Sequence, residues 1–113
     1  MPSLATQMVM KALDGLSERA SVTAQNIANA GTPNYRPMRV TFEDALKAAA
    51  GKGAKAVQGV EPRVERDPDP KNATLRLDME VATASTTALR YEALVEILNR
   101  RTQMDALPLS GNR

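Results

Sequence analysis

Near the start of the chain, apolar residues fall at alternating intervals of four and three: Val9, Leu13, Leu16, Ala20, Thr23, Ile27 and Ala30. That rhythm predicts an amphipathic helix from about Leu4 to Ala30 with a coiled-coil seam. Two heptad series run through it, one through Val9, Leu16, Thr23 and Ala30, the other through Thr6, Leu13, Ala20 and Ile27. Met8 and Ala12 widen the stripe, whereas Gly15 costs about 1 kcal/mol of helix propensity against Ala. Gly31 is expected to take the left-handed position after the helix, and Pro33 to stop it. The rhythm returns between Met79 and Leu107, through Val81, Ala84, Ala88, Tyr91, Val95 and Leu98, with Leu94, Ile97, Met104 and Leu107 broadening the stripe and Pro108 ending it.

The middle reads differently. Gly31 to Pro37 is rich in turn formers, and a short helical turn over 41–46 is expected with Thr41 as its cap and Asp44 at the third position. Gly51 to Lys55 is small and polar, and Gly59 and Pro62 restrict any strand between Val57 and Val64 to an edge or a brief extended piece. Asp67-Pro68-Asp69-Pro70 is extended, because each Pro steers the preceding residue away from the helix. Residues 51–70 are too poor in apolar surface to order alone. The expected fold class is therefore mainly α: long N- and C-terminal helices in an antiparallel coiled-coil hairpin, with a flexible, partly extended middle. The expected divisions are 1–30, 31–78 and 79–113.

Composition narrows the chemistry. The 113 residues contain no Cys and no His, so thiolate sites, disulfides, imidazole acid–base work and the usual zinc ligand sets are excluded. Only 3% are aromatic, which suits helix packing built on Ala, Leu, Val and Met. A net charge of +2 is too small to argue for nucleic acid. Lys47, Lys52 and Lys55 read as solvated, and Asp67 and Asp69 as linker carboxylates without a dry pocket. Arg100 and Arg101 suit the negative end of a helix dipole. No catalytic, metal-binding or cofactor residue is expected, no 18-residue apolar run spans a membrane, and Met1 to Gln7 lack the charged and apolar regions of a secretory signal.

Two helices share one seam, and a core that small barely offsets its entropy. Two arrangements satisfy the pattern: a monomer closed by its middle segment, or an assembly subunit whose terminal helices complete their packing against neighbours.

The run Asn26-Ile27-Ala28-Asn29-Ala30-Gly31-Thr32-Pro33-Asn34-Tyr35 distinguishes them. It resembles the N-terminal signature of the bacterial flagellar rod, hook and hook-filament junction proteins, where a helix ends in Asn-Ile-Ala-Asn-Ala before a Thr-Pro turn and a Tyr. The family more often carries Asn at the place of Gly31 and Gly at that of Asn34; both tolerate positive φ, so the exchange is expected to keep the turn. Asn is a poor mid-helix residue. Asn26 and Asn29, three apart, form a polar ridge suited to bonding neighbouring chains and fixing register.

About 48 residues between the helices resemble the short proximal rod subunits. The stretch Leu89 to Arg101, with Arg90, Tyr91, Leu94, Leu98, Asn99 and Arg100 in their expected places, is most similar to the B-type. The resemblance covers roughly the first 46 and last 30 residues. It implies a non-enzymatic structural subunit of the flagellar basal body in the periplasmic space, exported by the type III apparatus without a cleaved signal. It also implies partners: copies of itself, other rod subunits, the adaptor between rod and MS ring, and the export gate, for which Phe42 and Leu46 match a Phe-x-x-x-hydrophobic motif. The alternatives are another proximal rod subunit or, in a different class, a free cytoplasmic helical adaptor module. Transit through a narrow channel implies marginal stability, so the isolated chain is expected to be largely disordered or loosely helical.

Overall fold

In the computed structural model, which describes residues 2–68 and 77–107, the first long helix, α1 (Leu4–Ala28), starts at a capping Ser3. The Ser3 hydroxyl accepts a hydrogen bond from the Thr6 backbone N–H at 3.1 Å, which satisfies one of the orphan donors of the first turn. At the other end Asn29 caps the helix, two residues before the expected stop at Gly31. The left-handed residue of the turn is Asn34 (φ 61°), not Gly31. An Asn side chain tolerates that conformation, and Thr32 and Tyr35 donate backbone bonds to Asn29 and Thr32 on the way, closing two tight turns in succession.

Strand β1 (Met38–Thr41) follows, then helices α2 (Glu43–Ala50) and α3 (Ala54–Gln58), strand β2 (Arg63–Arg66), and the second long helix, α4 (Leu77–Asp105). The strands pair antiparallel with Val40 opposite Val64 and Arg39 opposite Glu65. Val40 points into the core and Val64 faces solvent.

The middle segment departs from expectation in three ways. Thr41 ends the strand and does not cap α2; Phe42 occupies the cap position with no side-chain bond, because its ring turns inward. Val57 is helical and wholly buried rather than part of a strand, and β2 begins only after Pro62. Residues 51–68 form helix, turn and strand rather than a mostly extended linker, and Val57 joins Phe42, Leu46 and Ala49 in one cluster with Leu16 and Val22 of α1. Gly53 (φ 108°) permits the reversal between α2 and α3. The segment cannot order alone, but α1 supplies the missing apolar wall. Asp69 and Pro70 of the expected extended run, the rest of the linker to residue 76, and Pro108 lie outside the described residues.

Gly15 explains itself here. A Cβ at that position would overlap the Phe42 ring, which packs against α1 there. Gly15→Ala is expected to destabilise by about 1–3 kcal/mol through overpacking, despite its better helix propensity. Urea unfolding followed by circular dichroism checks this, and a stabilised variant would contradict the contact.

Helices α1 and α4 lie side by side and antiparallel. Near one end, the Thr6 hydroxyl donates to Asp105 at 3.0 Å; near the other, Asn26 donates to Glu80 at 2.9 Å. The face that α4 turns to α1 overlaps the expected stripe, with Ala84, Leu94, Val95 and Leu98 half-buried, but it is rotated so that two polar residues join it. Glu80 and Thr87 are buried there and Leu94 packs on the core cluster, while Val81 is exposed. A carboxylate can occupy that seam because α1 and β1 supply its partners.

Candidate functional site

The turn end of the helix pair is organised by Asn26, which is 1% exposed. Its Oδ1 accepts from the Tyr35 hydroxyl at 2.8 Å and from the Met38 backbone N–H at 3.0 Å. Its Nδ2 donates to the Met38 carbonyl and to Glu80 Oε1, both at 2.9 Å. All four bonds of the amide are thus made inside the chain. The second Glu80 oxygen lies 3.0 Å from the half-exposed Arg39 guanidinium. One side chain therefore locks the last turn of α1, the Tyr35 loop, the start of β1 and the first turn of α4. The expected ridge facing neighbouring chains is corrected at this point: Asn26 is turned inward, because a buried amide with four partners outcompetes solvation at the surface. Asn29, also assigned to that ridge, makes local bonds instead: its Nδ2 donates to the Gln25 carbonyl and its Oδ1 accepts from Thr32.

Around this knot, Ile27 is half-buried, and Ala28, Ala30, Thr32 and Pro33 line the outside of the turn in solvent. The second group of sequence candidates lies elsewhere. From Glu80 to Leu94 the rise along α4 is about 21 Å. Leu94 and Leu98 are half-buried; Arg90, Tyr91, Asn99 and Arg100 are exposed, and Arg100 pairs with Glu96 at 2.8 Å. The fold does not bring the two groups into one site.

Phe42 and Leu46 are 5% and 7% exposed. Above the Phe42 ring sits the Arg19 guanidinium, 5.0 Å from its centroid, which bonds both Glu43 oxygens (2.7 and 2.8 Å) and the Val40 carbonyl (2.8 Å). The bidentate Arg19 pair draws the Glu43 carboxyl down from about 4.5 to about 2. Because the folded value is depressed, the pair's contribution is complete above about pH 4.5 and is lost as pH falls towards 2. Glu43 is half in solvent, so that contribution is about 0.5–1 kcal/mol, less than the shift alone implies. Glu43→Gln is expected to remove the part of the acid unfolding slope that falls between these values; an unchanged slope would contradict the clamp.

Arg19, Arg39, Glu43 and Glu80 escaped the sequence reading. The one available signal was Glu80 itself, an acid between two apolar residues at the head of an apolar helix.

The C-terminal part of the chain, α4 and the turn after it, carries a second, exposed stripe. Met79, Ala82, Thr86, Leu89 and Ala93 alternate threes and fours, and after one more step of four the rhythm resumes through Ile97, Arg100, Met104 and Leu107. Every one of these residues is exposed, Leu89 at 68%; Met79, Ala82 and Thr86 border a groove shared with Arg19 of α1 and Ala93 one shared with Ala12, Leu16 and Phe42, while Leu89 and Ile97 are among the members at neither groove.

These features define a mainly helical protein in which a two-stranded ribbon and two short helices brace a pair of long helices, with apolar surface left outside. No family model matches the chain. It is similar to the flagellar basal body rod protein FlgB of Borrelia hermsii, with 46% identity over 46 residues, which is 41% of this chain and 34% of that protein. The chain thus spans about a third of the length of that relative. Among the described residues, no helix is long and apolar enough to cross a membrane.

Proposed function

We propose that the protein is a structural, non-enzymatic subunit of the proximal rod of the bacterial flagellar basal body, of the B-type. The likeness to the rod protein carries this reading. The motif from Asn26 to Tyr35 and the run from Arg90 to Arg100 support it, as does the exposed apolar stripe of α4, which a free-standing monomer would have reason to cover. In this reading α1 and α4 form an antiparallel coiled coil. Copies stack with one another and with other rod subunits through open, head-to-tail contacts into a helical tube that transmits torque. The adaptor to the MS ring and the export gate are its other partners, and its place is the periplasmic rod.

Export by the type III route gives the Asn26 and Phe42 clusters a second role. The chain crosses the channel unfolded and is marginally stable as a monomer, and the two clusters set its fold only afterwards. Phe42 and Leu46 are buried in the fold, so the gate reads them before folding. Secretion of Phe42→Ala and Leu46→Ala chains is therefore expected to fall. An unfolded substrate loses nothing by losing a core, so such a defect reports recognition; normal secretion of both would remove the export role. Deleting the gene in its host is expected to abolish motility and leave basal bodies without rods. Intact rods and swimming cells would favour the free helical adaptor.

A further inference from the structure

The two-stranded ribbon ends in an open edge, and we infer that this edge of β2 is a docking site for β2 of a second copy, paired antiparallel about a two-fold axis at Val64. The Asp67 backbone N–H donates to the Pro37 carbonyl at 3.0 Å. With the strand register, that bond makes 37 and 67, 39 and 65, and 41 and 63 the bonded pairs. The backbone N–H and C=O of Val64 and Arg66 therefore point away from β1. Among the described residues, no element besides β1 packs substantially on β2. A short open edge of this kind accepts one more strand.

The side chains select which strand. Val64 is exposed on one face of the ribbon, and Arg63 and Glu65 are exposed on the other. With two copies antiparallel and Val64 opposite Val64, those two residues exchange both backbone bonds while their side chains cover each other. Arg63 of each copy then lies opposite Glu65 of the other, in the closer, non-bonded positions. Neighbouring registers fail. Centring on Glu65 sets it against itself, with backbone groups already spent on Arg39. Centring on Arg66 sets Arg66 against Arg66 and Glu65 against Asp67. The Arg63–Glu65 contact within one strand is long, 3.6 Å, and open to solvent, so it yields readily to the cross-strand pairs. Pro62, with no N–H to give, keeps the pairing short. The contact uses neither long helix and closes at two copies, so it is separate from the open stacking of the rod reading and stands or falls without it.

Because the chain has no Cys, a single introduced thiol reports the contact. The full chain carrying Val64→Cys is treated with a short bis-maleimide over a concentration series, in buffer with TMAO, which favours the compact state of a marginal chain. The covalent dimer should rise with concentration, because the two thiols face each other. Arg66→Cys should give about tenfold less, since its two copies stand four residues apart along the strands, about 13 Å. In the Val64→Cys background, Arg63→Glu and Glu65→Arg should each lower the dimer about tenfold by setting like charges opposite. Mixing those two chains, or placing both reversals in one chain, should restore it. Circular dichroism should show unchanged helix content throughout, since all the substituted side chains are exposed. A Val64→Cys chain that cross-links no better than Arg66→Cys would overturn the inference. So would a dimer indifferent to both reversals, or a mixture that fails to recover.

Discussion

Phe42→Ala should lower the stability of the fold by about 3–5 kcal/mol, the largest effect expected of any single apolar truncation here. The ring is the wedge of the structure. It fills the notch left by Gly15, underlies the Arg19 guanidinium, and belongs to the cluster that joins α1 to α2, β1 and α3. Its loss opens a cavity that the neighbours cannot close, because Arg19 is held in place by Glu43 and the Val40 carbonyl. Urea unfolding in an excluded osmolyte such as TMAO, which favours the compact state of a marginal chain, should show the middle segment lost together with the cooperative transition. A shift below about 1 kcal/mol would mean that the wedge does not hold the segment to α1.

Asn26→Ala should cost about 2–4 kcal/mol for a different reason. The truncation strands the Met38 amide and carbonyl and the Tyr35 hydroxyl, and takes from the buried Glu80 the amide donor that complements its Arg39 ion pair. Asn26→Asp keeps the shape but sets a second carboxylate against Glu80. It should be at least as damaging at neutral pH and recover in part under acid, when one of the two carboxyls takes a proton. Thermal unfolding of both variants at two pH values separates these outcomes. An Asn26→Asp chain whose stability relative to wild type does not change with pH would show that Glu80 does not face the amide.

The two long helices were legible because each carries more than two heptads of apolar rhythm: α1 ends two residues earlier than expected, and α4 is described over nearly the expected span. What the rhythm concealed was that polar residues share the inward stripe of α4. The helix has two stripes, and the inner one holds Glu80 and Thr87, residues that apolar periodicity discounts. The middle segment was illegible for a related reason. Val57 and Ala49 are unremarkable in a window of their own, and they become core only against α1, some forty residues earlier. Gly15 looked like a flaw in a helix until the ring that occupies its missing Cβ was in view. The motif from Asn26 to Tyr35 was visible as a unit, but its chemistry was not. Nothing near it in sequence says that Glu80 and Arg39 complete its bonds and turn it inward.

Cryo-electron microscopy of intact basal bodies from the host, at a resolution that places side chains, tests the central claim most directly. The account predicts this chain in the wall of the proximal rod, with Asn26 buried within each copy and Leu89 and Ile97 covered by a neighbour. A chain absent from the rod, or present with that face of α4 in open solvent, would contradict it.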